Sequence, residues 1–174
     1  MLSEKLKIDD IDCQIMDLVQ KEPNLTHAQI AEHVNRSQPT IGMRIKKLEN
    51  LGVLKYQAGI TLKNRDLCFA RVDIQTNNPQ ASFKMVKKCP FMLNAFSLSG
   101  NKNISVLIVG FNLKALEKIV NHHFRSNPIV TEVQMDLIVD VADDLVLPLN
   151  FNIEHTKNCP VCNENHDHDY LLEG

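Results

Sequence analysis

The sequence predicts an α+β protein in two parts: an N-terminal winged helix-turn-helix, then a ferredoxin-like β-α-β-β-α-β domain. Three observations carry this reading. Residues 8–50 hold three short helical patterns joined by tight connections. Residues 67–141 alternate strand and helix patterns in the order β-α-β-β-α-β. The third of the early helices is basic on one face and apolar on the other.

Residues 8–20 read as the first helix. Ile11, Ile15, Leu18 and Val19 recur at helical spacing, and Asp9, Asp12, Gln14 and Asp17 lie between them as the polar side. Pro23 and Asn24 punctuate its end. Thr26 and Gln29 have the spacing of a capping box, in which each side chain satisfies an orphaned backbone N–H. They open a short second helix whose apolar side is Ile30, Ala31 and Val34. Asn35 and Arg36 form a tight connection. Ser37 stands where it can cap a third helix, with Pro39 tolerated in the first turn. That helix runs to Asn50, with Ile41, Ile45 and Leu48 as its inward stripe and Thr40, Met43, Arg44 and Lys47 on the opposite face. Gly52 ends it, and Val53 and Leu54 begin an extended segment.

Two short helices with a tight turn and opposed faces describe a helix-turn-helix. Between Arg36 and Lys55 there are five basic residues and one acidic residue, a local charge of +4. A solvated basic face is the plain alternative. The combination of three helices, turn and opposed faces favours double-stranded DNA, with the third helix in the major groove. Arg44 is the leading candidate for a base contact, to guanine. Ser37, Thr40 and Met43 are placed to meet base edges or a thymine methyl, and Arg36 and Lys47 to hold phosphates. Gln38 is expected nearer the buried side and ranks below these.

Residues 55–66 read as a connector containing a strand. Cys68, Ala70, Val72 and Ile74 then alternate with Phe69, Arg71, Asp73 and Gln75, a strand signature. Residues 80–88 fit a short helix ended by Pro90; 91–99 and 103–111 fit two strands around a turn containing Gly100. Residues 113–125 form an amphipathic helix with Leu116, Ile119, Val120, His123 and Phe124 on its apolar side, and 129–141 a last strand. Two helices cover one face of such a sheet, and a second copy of the chain is the simplest cover for the other.

Composition is consistent with this plan. The 174 residues are 44% hydrophobic and 23% charged, with a net charge of −2. Taken whole, −2 argues against a nucleic-acid binder, but the charge is segregated. Residues 1–66 carry ten basic and nine acidic side chains, residues 67–139 eight and four, and residues 140–174 one and eight. A mildly basic body thus precedes an acidic C-terminal end. No apolar run approaches the roughly 20 residues of a membrane span, and the first ten residues hold five charges where a signal peptide would be apolar. Both point to the cytoplasm. Five cysteines, only two of them close together, do not make a secreted disulfide framework. Cys13, Cys68 and Cys89 sit among apolar neighbours and read as buried small hydrophobes. His122 and His123, adjacent on a helix, read as surface and rim residues rather than a metal pair. No phosphate-binding Gly loop, Ser/His/Asp set or paired-carboxylate pattern supports an enzyme.

The run IDDIDCQIMDLVQKEPNLTHAQIAEHVNRSQPTIGMRIKKLENLGVLK resembles the DNA-binding domain of the Lrp/AsnC (feast/famine) transcriptional regulators, most specifically in IDDID, IAEHV and RIKKLENLGVL. The region that follows resembles the family's effector-binding and dimerisation domain in its element order and in Gly100 between two strands. The resemblance spans residues 8–141. It implies a third helix that reads DNA, self-association into dimers and often octamers, and a small effector, commonly an amino acid, near the turn after the second strand. Here that turn brings Ser97, Ser99, Gly100, Asn101 and Asn103. The family often has an Asp shortly after that Gly; this chain has Asn101 and Asn103, and a neutral amide does not pair with an ammonium as a carboxylate does. A neutral ligand and a ligand-free polar turn both stay open.

The segment HTKNCPVCNENHDH at 155–168 lies outside the resemblance. Cys159 and Cys162 have the C-x2-C spacing that converges two thiolates on one metal, and His166 and His168 follow; together they make a tetrahedral donor set for Zn2+, or for Cu+. The spacing is not that of a standard finger, and His155 or a carboxylate is an alternative fourth donor. A reversible dithiol pair and an inert tail are the other readings. The expected organisation is therefore a helix-turn-helix domain at 1–54, a connector at 55–66, a ferredoxin-like domain at 67–141 and an acidic Cys/His tail at 142–174. The leading function is a sequence-specific regulator with a metal-binding tail, and the second hypothesis makes that tail a metal sensor. Its rivals are a metal-storage or trafficking protein whose helix-turn-helix binds a protein partner, and a small-effector regulator with a purely structural metal site.

Overall fold

The computed structural model describes residues 2–149. Cys159, Cys162, His166 and His168 lie outside the described residues. The chain forms two compact units that divide after Tyr56.

The first unit is helical. α1 (Leu2–Leu6), for which the sequence carries no clear signal, is followed by Lys7 at φ 57°. α2 (Asp10–Lys21) starts two residues later than its apolar pattern, because Asp9 caps it. The Asp9 side chain accepts from Asp12 N–H at 2.9 Å, and the Asp12 side chain accepts from Asp9 N–H at 3.2 Å. This reciprocal cap satisfies two donors that the first turn leaves unpaired. α3 (His27–His33) carries the expected Thr26/Gln29 capping box. Asn35, at φ 51°, turns the chain sharply into α4 (Gln38–Asn50), capped by Ser37. The positive φ of Gly52, 68°, closes α4, a conformation that costs a residue without Cβ little. Ile15, Val19, Ile30, Ile41, Ile45 and Leu48 pack into one core, each buried side chain contributing roughly 1.5–3 kcal/mol of transfer free energy.

The second unit contains β1 (Ile60–Thr61), β2 (Cys68–Thr76), α5 (Pro79–Val86), β3 (Met92–Ser97), β4 (Ile104–Gly110), α6 (Leu113–Val120), β5 (Val130–Leu137) and β6 (Val146–Leu147). The main sheet has the order β3-β4-β2-β5 with every pairing antiparallel, which is the ferredoxin-like arrangement expected. Ala70, Val72, Ile74, Ile104, Val106 and Ile108 face the helices and meet Leu116, Ile119, Val120 and Phe124. The expected helix at 113–125 is α-helical only to Val120; Asn121–Arg125 is a single π-turn, closed by Ser126 N–H to Asn121 O at 2.9 Å.

Three sequence readings change here. The far face of the sheet is not simply left for a second copy. β1 pairs with β6, and Leu62 and Leu147 cover Phe69 and Val109 from that side. Residues 142–149, assigned to the tail by composition, therefore include a strand of this unit. Gly59 permits the pairing: a Cβ there would lie 2.1 Å from the Leu147 carbonyl oxygen. The rest of the far face mixes apolar and polar groups, with Leu107 and the exposed Phe96 beside a charged cluster. Arg71 bridges Asp73 at 3.2 Å and Asp136 at 3.0 Å, and Ser105 Oγ donates to Asp73 at 2.6 Å. His123 is the second change. It is buried, 3.7 Å from the buried Cys89 Sγ through Nε2, and not a rim residue, in keeping with its place on the apolar side of the helix pattern beside Phe124. Cys13 and Cys68 are half-buried rather than buried.

Candidate nucleic-acid interface

α4 presents its outward residues in a graded way. Met43 is 68% exposed, an unusual position for a large apolar side chain. Gln38 is exposed too, contrary to its expected place near the core, because it precedes Ile41, the first α4 residue to enter that core. Ser37 and Thr40 are joined, Oγ to Oγ1, at 2.8 Å, with Ser37 Oγ also accepting from Thr40 N–H at 3.4 Å. Arg36 is exposed and donates to Asn35 O at 2.8 Å.

Arg44 and Lys47 are held from α2. Arg44 Nη1 lies 2.7 and 2.8 Å from the two carboxylate oxygens of Asp9 and 2.8 Å from Asp12 Oδ1. Lys47 Nζ donates to Asp12 Oδ2 at 2.6 Å. Asp12 has no exposed surface at all. Burial by itself pushes its carboxyl up, but the hydrogen bonds from Lys47 and Arg44 outweigh that, and the group stays below the ordinary value of 3.8. Asp9 is also held below 3.8, chiefly by its hydrogen bond from Arg44. The two carboxylates neutralise two of the five cations counted from the sequence. Arg36, Lys46 and Lys55 remain, against Glu49.

Asp12 is the residue of this cluster that polarity hides, since a carboxylate between apolar positions reads as the polar side of α2. Its spacing to Ile15 and Val19 places it on the inward face, and its spacing to Asp9 is that of a capping box. Both signals are present in the sequence. The long-range partners on α4 are not.

The end of β3 and the turn into β4 hold the five residues to which the resemblance points. Ser97, Ser99, Gly100 and Asn101 are exposed. Asn103 is committed elsewhere: Nδ2 donates to Thr76 O at 2.8 Å and Oδ1 accepts from Thr76 N–H at 3.0 Å, tying the turn to the end of β2. Lys102 is ion-paired with Glu132 of β5. A cavity of about 430 Å³ beside α5 is lined by residues that include Val86, Lys88, Cys89, Met92, Asn94 and Leu149 and by none of those five. Among the described residues, no group of three or more His, Cys, Asp or Glu side chains is arranged to hold a metal ion, and no helix is long and apolar enough to cross a membrane.

Residues 8–55, the stretch from just before α2 to just after α4, match the winged helix-turn-helix DNA-binding family. Over 140 residues the chain is 27% identical to an uncharacterized HTH-type transcriptional regulator of Pyrococcus horikoshii, covering 74% of this chain and 85% of that protein. The leucine-responsive regulatory protein of Rhizobium meliloti is 25% identical over 147 residues, covering 80% of this chain and 94% of the relative. The solved structure of Escherichia coli AsnC superposes with a TM-score of 0.68 over 78% of this chain and 95% of that one, at 14% identity. The chain is similar to helix-turn-helix regulators of the Lrp/AsnC type. Its relatives are named as transcriptional regulators and not as enzymes, in line with the absence of a catalytic pattern in the sequence. The family match covers residues 8–55 of the first unit, and the fold likeness extends through the ferredoxin-like unit.

Proposed function

We propose that this regulator binds its DNA sites sequence-specifically as a homodimer or larger homo-oligomer, with α4 in the major groove. The observation that carries the reading is the outward face of α4, where Gln38 and Met43 are exposed beside the Ser37/Thr40 pair while Arg44 and Lys47 are held in place by Asp9 and Asp12. Met43 suits a thymine methyl, Arg44 a guanine edge, and Arg36 and Lys47 the phosphates. Two copies would present two α4 helices to successive turns of one face of the duplex, giving a roughly palindromic site. The test is binding of the full chain to its own promoter region across 50–200 mM salt. Affinity should fall steeply with salt, and Arg44→Ala should weaken it. No salt-dependent binding, with Arg44→Ala making no difference, sinks the reading.

Further proposals concern the two ligands. An effector at the β3–β4 turn would meet Ser97, Ser99, Gly100 and Asn101, with Asn103 shaping the turn from beneath; titration calorimetry with amino acids against neutral small molecules tests this. Cys159, Cys162, His166 and His168 would hold one Zn2+ or Cu+, a reading supported by residue type and spacing alone. Metal analysis of freshly purified protein, with promoter binding measured before and after chelation, separates a responsive site from a structural one. Equal DNA affinity in both states removes metal responsiveness.

A further inference from the structure

We propose that Asp9 and Asp12 are positioning residues for DNA recognition: they anchor Arg44 through a single nitrogen and leave the other edge of its guanidinium as a preset fork for a base or phosphate. The inference rests on α4 reading DNA, as proposed above.

The geometry is one-sided. All three acceptors that Arg44 meets, two on Asp9 and one on Asp12, are reached from Nη1. Among the described residues Nε and Nη2 make no hydrogen bond, so three N–H donors are left on the edge that binds guanine O6/N7 or two phosphate oxygens in bidentate fashion. The side chain keeps a quarter of its surface exposed. The anchors are themselves fixed. Asp9 and Asp12 cap each other at the start of α2, and Asp12 is buried and held by Lys47 as well. An arginine secured in this way gives up little rotamer freedom on binding, which is how a second set of contacts sharpens specificity. Lysine, with one nitrogen, cannot be anchored at one edge and offer another.

The opposite reading makes Asp9 a competitor. It is about half exposed and negative, so it would repel phosphate and occupy Arg44 until DNA displaced it. The two readings predict changes of opposite sign. The experiment uses the full chain with two duplexes of equal length, one selected by the wild-type protein from a randomised pool and one scrambled. Asp9→Ser keeps a helix-capping oxygen while removing the carboxylate. If Asp9 positions Arg44, Asp9→Ser lowers the discrimination between the duplexes by about tenfold, the scale of one bidentate base contact, without weakening binding to the scrambled one. Arg44→Lys loses discrimination to the same extent with its salt slope unchanged. A partly unfolded variant weakens both duplexes equally and leaves their ratio alone, so the ratio separates positioning from stability. Asp9→Ser that binds both duplexes more tightly with discrimination intact and a salt slope steeper by about one overturns the proposal, as does Arg44→Lys that discriminates like wild type. A wild-type protein that binds neither duplex overturns the DNA-reading proposal itself and this one with it.

Discussion

Asp12→Asn tests whether the buried carboxylate stabilises the first unit. Asp12 accepts three hydrogen bonds, from Lys47 at 2.6 Å, Arg44 at 2.8 Å and Asp9 N–H at 3.2 Å, with no surface in contact with solvent. Asparagine keeps the shape and one acceptor but turns an NH2 donor toward a cation. Each hydrogen bond to a charged group is worth about 1.5–3 kcal/mol. Arg44 retains Asp9 in the variant, and Lys47, 44% exposed, can return to water. The net loss should therefore be about 2–3 kcal/mol, or roughly 30- to 150-fold more frequent opening. Native-state hydrogen exchange by mass spectrometry reads this in peptides from α2 and α4, with β2 and β4, in the other unit, as the internal control. Unchanged protection in α2 and α4 would mean that the cost of desolvating Asp12 cancels its bonds, and the reasoning would be wrong. The pH dependence has a definite sign. Asp9 and Asp12 both have folded values below 3.8. Their contribution is thus complete above the unfolded value and is lost as pH falls through the lower folded values. Protection of α2 and α4 should decline below about pH 4 in wild type, and more shallowly in Asp12→Asn.

Three more outcomes follow from the geometry. Gly59→Ala, whose Cβ would meet the Leu147 carbonyl, should break the β1–β6 ladder at a cost of about 2 kcal/mol or more, seen as faster exchange at 60–62 and 145–147 with the first unit unaffected. Asn103→Ala leaves the backbone N–H and C=O of buried Thr76 without the two bonds that Asn103 supplies and should cost about 1–3 kcal/mol; an unchanged thermal midpoint of the second unit would contradict this. Met43→Ala should leave stability within about 0.5 kcal/mol, because the side chain is 68% exposed, yet weaken binding to duplexes selected by the wild-type protein, as anisotropy titration would show.

Much of the fold was legible because it is written in local chemistry. Thr26/Gln29 and Ser37 announced their helices through spacing that the backbone donors require. The alternation of Cys68–Gln75 and the apolar stripe of α6 announced the sheet and its cover. The misreadings have opposite causes: sorting by polarity puts Asp12 on the solvent side, and helical angle alone puts Gln38 toward the core. A helix start obeys capping geometry as well as the stripe, and a carboxylate is buried when cations elsewhere in the chain meet it. The strand at Val146–Leu147 escaped because two residues carry no period, and the acidic residues around it drew the whole segment into the tail.

By itself the sequence determined the two-part plan, the order of the main elements and the helix proposed to meet DNA, since caps, glycine turns and side-chain periods act over a few residues. Tertiary structure decided which charges are available. Five cations between Arg36 and Lys55 look equivalent in a list of residues, but α2 delivers two carboxylates to two of them and none to the rest. A charge acts through what lies within a few ångströms of it, and for Arg44 and Lys47 those neighbours are more than thirty residues away along the chain.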